Sequence, residues 1–252
     1  MASSDAAGWR QLVELAPRAV LMGKLLRLVE NQTQKVTAGL VDGLDELDVL
    51  EQLLEASKPR RRAGTERLDY LLASPWRYPP LPWGSRFGSR FEPGIFYGAL
   101  DMTALLAEAA YYRLVFIAGM ARPFAGRLIS QHTRFEALYR TDCGVQLDKS
   151  PFDEQHRATL RHPSHYGACQ RLGRVLREAG IEAFTYLSAR CCPPHLNIAL
   201  LTPDALHSNR HRRPVHGLCE THLEGVRYRF GEQNYWFDRE QFLVDGVLPQ
   251  PA

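Results

Sequence analysis

Long hydrophobic runs are missing from this chain of 252 residues. The best, Leu114 to Ala121, is closed off by Arg113 and Arg122, and a bilayer span needs roughly 18 apolar residues. A secretory signal is not apparent either, because Asp5 comes early and no basic region leads into a purely apolar stretch. A cytoplasmic protein is therefore expected. Cysteine is scarce: Cys143, Cys169, Cys191, Cys192 and Cys219 form an odd set with two neighbours, which fits reduced thiols better than a disulfide framework. Charge of one sign is barely in excess. Lys and Arg number 31 against 28 Asp and Glu, for a pI near 8.6, too small a surplus to imply a nucleic-acid or anionic-membrane surface. The chain also lacks a Gly-x-Gly-x-x-Gly fingerprint, a loop ending in Gly-Lys-Ser/Thr and a Gly-x-Ser-x-Gly elbow, which disfavours ordinary dinucleotide dehydrogenases, P-loop enzymes and serine hydrolases.

What is present reads as a globular α+β chain. Trp9 to Val29 has a helix-like rhythm, and Leu44, Leu47, Leu50, Leu53 and Leu54 predict an amphipathic helix. Asp42, Asp45 and Glu46 suit the start of that helix, and Pro59 suits its stop. The polar segment Lys58 to Gly64 places a boundary at about residue 64, with a helical extension over 1–64 and the main domain over 65–252. The apolar helix near 44–57 is able to meet a second copy in a homodimer or to fold back on the main domain. Beyond the boundary, Ile95 to Tyr97 reads as a strand and Asp101 as the cap of a helix ending near Gly119. A helix from Ser164 to Gly180 then precedes a strand over Ile181 to Leu187. Asn197 to Leu201, Val226 to Phe230 and Asn234 to Phe237 complete a sheet, followed by a loose tail.

Three places concentrate polar residues. Arg77 and Tyr78, then Gly84, Ser85, Arg86 and Phe87, put two arginines in Gly/Pro-rich loops, where planar guanidinium forks and open backbone amides suit phosphate groups. Solvated arginines are the plainer alternative. Tyr97 and Glu108 place a phenol and a single carboxylate within apolar segments. A carboxylate there is paired, in function or in a plain bridge to Arg113, unless it faces solvent. Ser188 and Arg190 end a strand. The stretch His207, His211, His216, Cys219 and His222 has ligand-like spacings, but Pro214 and Gly217 break any common helix and Arg210, Arg212 and Arg213 oppose a cation, so a polar surface loop is expected and no metal site.

The ordered series Arg77-Tyr78, Gly84-Ser85-Arg86-Phe87, Ile95-Phe96-Tyr97, Glu108 and Ser188 resembles the RES domain family over about residues 68 to 240. That resemblance implies a fold like that of ADP-ribosyltransferases, a mixed sheet core with flanking helices. It also implies the toxin of a toxin–antitoxin pair that consumes NAD⁺ by cleaving the nicotinamide–ribose bond, as an NAD⁺ phosphorylase or NAD⁺ glycohydrolase. Transfer of ADP-ribose to a protein is the alternative, and a silent partner-binding module the other. By position, Arg77 and Arg86 would grip the dinucleotide phosphates, Tyr78 and Tyr97 would shape the nicotinamide and ribose pocket, and Glu108 and Ser188 would complete the site. NAD⁺ would be substrate, inorganic phosphate a possible acceptor, and the partner a small helix-turn-helix-like antitoxin covering the cleft. The short interval between Arg77 and Arg86 leaves Arg90 as a substitute for Arg86, and Arg190 is a further candidate.

Overall fold

The computed structural model describes residues 2–31, 40–78, 80–122 and 126–250. Helix α1 (Ala2–Leu15) stops just ahead of Pro17 and gives way to strand β1 (Ala19–Glu30). The helix expected over Trp9 to Val29 is thus half right: proline disfavours helical geometry at the residue before it, and the segment after it finds a distant β partner. Helix α2 (Leu44–Ser57) stands where its leucine spacing predicts, with Leu47 its buried residue. Helix α3 (Tyr70–Arg77) is capped by Asp69, whose side chain accepts from the amide of Leu72.

Strand β2 (Phe96–Ala99) precedes helix α4 (Met102–Ala118), capped by the Asp101 carboxylate at 2.9 Å from the Ala104 amide. Strand β3 (Leu128–Gln146), helices α5 (Glu154–Leu160) and α6 (Gly167–Glu178), and strands β4 (Ala183–Leu187) and β5 (Leu196–Leu200) follow. Strands β6 (Arg212–Thr221), β7 (Gly225–Phe230) and β8 (Gln233–Asp238) end the sheet. The mixed α+β architecture is as expected. The polar surface loop expected over the histidine-rich stretch is largely strand β6, whose register with β3 turns Cys219 into the core beside Ser130 and leaves Leu218 opposite Gln131.

The strands run β1-β2-β5-β4-β3-β6-β7-β8, and β1 also pairs along β3 from Ala19↔Gly144 to Glu30↔His132. The first five strands therefore close on themselves, while β6 to β8 extend from the other edge of β3. Only β3 and β4 run parallel; the other pairings are antiparallel. Between β1 and β2 the ring is joined by a single registered pair, Leu26↔Ala99.

Three apolar clusters hold the layers together. Helices α1, α5 and α6 cover Phe87, Val145 and Phe184; α4 packs on Cys219, Val226 and Tyr228; α3 closes the ring over Phe96, Phe135 and Ile198. At about 25 cal/mol per Å² of apolar area removed from water, such burial is the main force favouring the fold. Of the last few residues, expected as a loose tail, Leu248 is buried in the α4 cluster and the Pro249 carbonyl accepts from the Tyr111 hydroxyl at 2.5 Å, while 251–252 lie outside the described residues. No helix among the described residues is long and apolar enough to cross a membrane.

Candidate active site

The weak join between β1 and β2 opens onto a cleft of about 350 Å³, lined among others by Arg27, Ser85, Arg86, Tyr97, Glu108, Tyr112, Tyr186 and Asn197. That volume lies within the ~300–1,000 Å³ of small-ligand sites. Strand pairing sets its floor. Tyr186 on β4 and Ala99 on β2 each lie opposite Asn197 on β5, and residues opposite one another on antiparallel strands share a face.

Glu108 comes to this floor from the middle of α4. Its Oε1 accepts from Ser188 Oγ at 2.6 Å and from Asn197 Nδ2 at 3.2 Å. Ser188 is fully buried at the end of β4, and its Oγ in turn accepts from the Arg190 backbone amide at 3.1 Å. The hydroxyl oxygen is thereby engaged and its proton is directed at the carboxylate. The cluster orients the carboxylate through two donors that themselves carry no charge.

The Gly84–Gly88 loop is clamped from two sides. Tyr97 Oη accepts from the Phe87 amide at 3.0 Å and shares a hydrogen bond of 2.9 Å with Ser85 Oγ. Burial pushes the Tyr97 phenol up to about 12, so it stays protonated at neutral pH. From α6, Gln170 Nε2 donates to the carbonyls of Trp83 and Ser85. Gly84 sits at φ +77°, where a Cβ would run into the Gly88 carbonyl, so the turn requires glycine.

This loop aims Arg86, which is 8% exposed. Its Nη1 donates to the carbonyls of His162 at 2.8 Å and Leu160 at 3.2 Å, and its guanidinium lies 4.6 Å from the Tyr166 ring centre. Burial works against its charge, but Tyr166 and then Glu108 outweigh that and hold its pKa above the ordinary value.

Sequence reasoning overlooked Arg27 and Asn197. Arg27 Nη1 donates to the Tyr97 carbonyl at 2.7 Å, a β2 edge group that the single-pair join leaves free, and its guanidinium lies 4.5 Å over the Phe96 ring. It keeps a face on the cleft while being surrounded by protein, and desolvation lowers its pKa to about 10. Among the described residues no carboxylate lies within ion-pair distance of Arg27 or Arg86. Reading Trp9 to Val29 as a helix hid Arg27; its signal was a lone arginine in an otherwise apolar half of a strand. Asn197 could have been found as the one amide in the apolar run of β5.

Other expected residues lie elsewhere. Arg77 ends α3 and points away from the cleft, with Nη1 2.6 Å from Glu55 Oε1 and Nε donating to the Pro59 carbonyl. Tyr78 is exposed beside Tyr70. The resemblance implied a place for both in the pocket, but as the last residue and C-cap of α3 they sit outside the cleft lining. Arg90 is outside the lining and lies over the exposed Phe91 ring. Arg190 is buried behind the cleft, 3.3 Å from the Tyr111 ring centre.

Among the described residues no group of three or more His, Cys, Asp or Glu side chains is placed to hold a metal ion. His211 Nδ1 lies 2.6 Å from Asp69, and His222 Nε2 3.3 Å from Glu220.

The RES domain family model matches residues 59–219, most of the chain. No curated protein matches it. Among solved structures, the chain is similar to the M. tuberculosis MbcT–MbcA toxin–antitoxin complex, at 10% identity and a TM-score of 0.48 over 83% of this chain and 91% of that one.

Proposed function

The chain belongs to the RES domain family, and on that premise we propose that it is the toxin of a toxin–antitoxin pair, an enzyme that consumes NAD⁺ by breaking its nicotinamide–ribose bond. The observation that carries this reading is a carboxylate, Glu108, held by two neutral donors in a cleft that also presents two arginines with no carboxylate within ion-pair distance among the described residues. Such a cleft suits a ligand that is anionic at one part and becomes cationic at another.

Breaking the bond sends its electron pair to the pyridinium nitrogen, so nicotinamide leaves neutral and no strong general acid is needed. Positive charge develops on the ribose, and a carboxylate fixed beside it stabilises that charge without reorganising. Ser188 and Asn197 supply the fixing. Arg27 and Arg86 would hold the pyrophosphate, and exclusion of water strengthens every such interaction. An acceptor oxygen then bonds to the anomeric carbon. Phosphate brings that oxygen already ionised, whereas water must lose a proton. The partner in this reading is an antitoxin that covers the cleft.

The test is to incubate the purified chain, freed of any partner, with NAD⁺ in the presence and absence of inorganic phosphate, following nicotinamide and the ribosyl product by mass. Release dependent on phosphate identifies a phosphorylase, and release of ADP-ribose without it a glycohydrolase. Label retained on a protein band identifies ADP-ribosyl transfer. Folded protein that leaves NAD⁺ intact both with and without phosphate overturns the reading.

A further inference from the structure

Tyr166 is fully enclosed at the start of α6, 2% exposed, and does not line the cleft. Both faces of its chemistry are nonetheless engaged by arginines. Its ring lies 4.6 Å from the Arg86 guanidinium, and its hydroxyl oxygen accepts from Arg190 Nη2 at 3.3 Å. The 160–166 connection supplies the remaining acceptors, with Leu160 and His162 carbonyls on Arg86 and the Pro163 carbonyl 2.7 Å from Arg190. One loop therefore fixes two buried cations that would otherwise repel, and a single side chain touches both.

The two cations lead to different ends of the site. Arg86 lines the cleft directly. Arg190 does not, but its backbone amide donates to Ser188 Oγ, and Ser188 Oγ donates to Glu108. Holding Arg190 thus holds the turn that points the serine proton at the carboxylate. The ring face acts on the group that would bind ligand, the hydroxyl on the group that would act at the ribose.

We propose that Tyr166 is a positioning residue that sets the binding arginine through its ring and the Arg190–Ser188–Glu108 chain through its hydroxyl, so that the two functions are separable at one side chain. A cation over an aromatic face gains strength when both are desolvated, and a hydrogen bond from a charged donor is stronger than one between neutral groups. Tyr166 makes no side-chain cap to α6, so Tyr166→Phe removes the hydroxyl without uncapping the helix. This inference rests on the NAD⁺ reading for its kinetic part only.

The experiment compares wild type, Tyr166→Phe and Tyr166→Leu in two ways. Steady-state cleavage of NAD⁺ should show kcat reduced about 10-fold with KM within 2-fold for Tyr166→Phe. Tyr166→Leu should also raise KM about 10-fold. Nitrogen-15 NMR of the arginine Nε–H groups, on full-length protein without ligand, should show the Arg190 resonance displaced in Tyr166→Phe with Arg86 unmoved, and both displaced in Tyr166→Leu. Equal changes in kcat and KM for Tyr166→Phe, or an Arg190 resonance unmoved in it, overturn the proposal. A wild type that leaves NAD⁺ intact overturns the reaction proposed above, and the NMR comparison then decides the role of Tyr166 alone.

Discussion

Ser188 Oγ donates to Glu108 Oε1 across 2.6 Å, linking the end of β4 to the middle of α4. The contact joins residues eighty apart in sequence and orients the carboxylate. Ser188→Ala removes one of its two donors inside a buried setting, where an unmet acceptor costs about 1–3 kcal/mol. NAD⁺ cleavage should fall about 10- to 100-fold with the thermal midpoint lowered by a few degrees. Glu108→Gln keeps the shape and removes the charge, so cleavage should fall below about 1% of wild type while circular dichroism and the melting transition persist. Full activity in a folded Glu108→Gln protein would show that the carboxylate is not the catalytic group.

Arg27 makes a prediction of opposite sign for stability and function. Its folded pKa is lowered to about 10 by desolvation, so between pH 10 and its ordinary value the unfolded chain binds more protons than the folded one. Stability therefore rises with pH only in that alkaline window, and at neutral pH the full cost of burying the charge is present. Arg27→Met should raise the melting temperature of the ligand-free protein by about 2–4 °C, the shift that 1 kcal/mol gives a domain of this size. The same change should abolish the stabilisation that pyrophosphate or NAD⁺ gives wild type. A variant less stable than wild type when empty would mean the guanidinium is a structural cation.

How far the sequence revealed this site can be judged from five residues. Tyr97 and Glu108 are separated by a strand end and one capped helix, so local signals place them, and the Asp101 cap and apolar helix are where their residues predict. Arg86 follows because a glycine-flanked loop has few ways to turn. Arg27 was out of reach: a strand of leucines with one arginine and one lysine has no decisive period, and its identity as β1 depends on β3, more than a hundred residues further on. Arg77 does not reach the cleft because it is the last residue of α3, and that helix turns its guanidinium onto Glu55 and the Pro59 carbonyl, contacts that nothing local to Arg77 announces.

His132 carries a pH prediction. It is 5% exposed on β3, with Nε2 2.9 Å from Ser130 Oγ, and burial, aided by Arg113, lowers its pKa to about 4. A histidine depressed in the folded state is neutral there while the unfolded chain takes up a proton near pH 6.5. Stability should fall as pH drops from about 6.5 to about 4 and level off below, by on the order of 2–4 kcal/mol from this group. His132→Gln should flatten that part of a melting profile taken from pH 4 to 7. An unchanged slope would assign the acid loss to other groups.

Deleting the residues before 64 discards β1, and with it Arg27 and one wall of the strand ring. The shortened chain should give no cooperative melting transition and no NAD⁺ cleavage. A folded, active product would mean that β2 and β3 seal the gap without β1.

The closure of β1 against β3 also governs when the protein comes into being. Their pairs lie between 102 and 125 residues apart, so on the ribosome the first strand emerges well before its neighbour, and at about 5–20 residues per second it waits roughly 5–25 s. Glu108 appears in that interval, but Ser188 and Asn197 are translated later still. No nascent chain that stops short of Asn197 contains the assembled cleft, and the high contact order makes the final step slow as well. If the finished enzyme destroys NAD⁺, this delay gives any neutralising partner time to be present before the first active molecule forms.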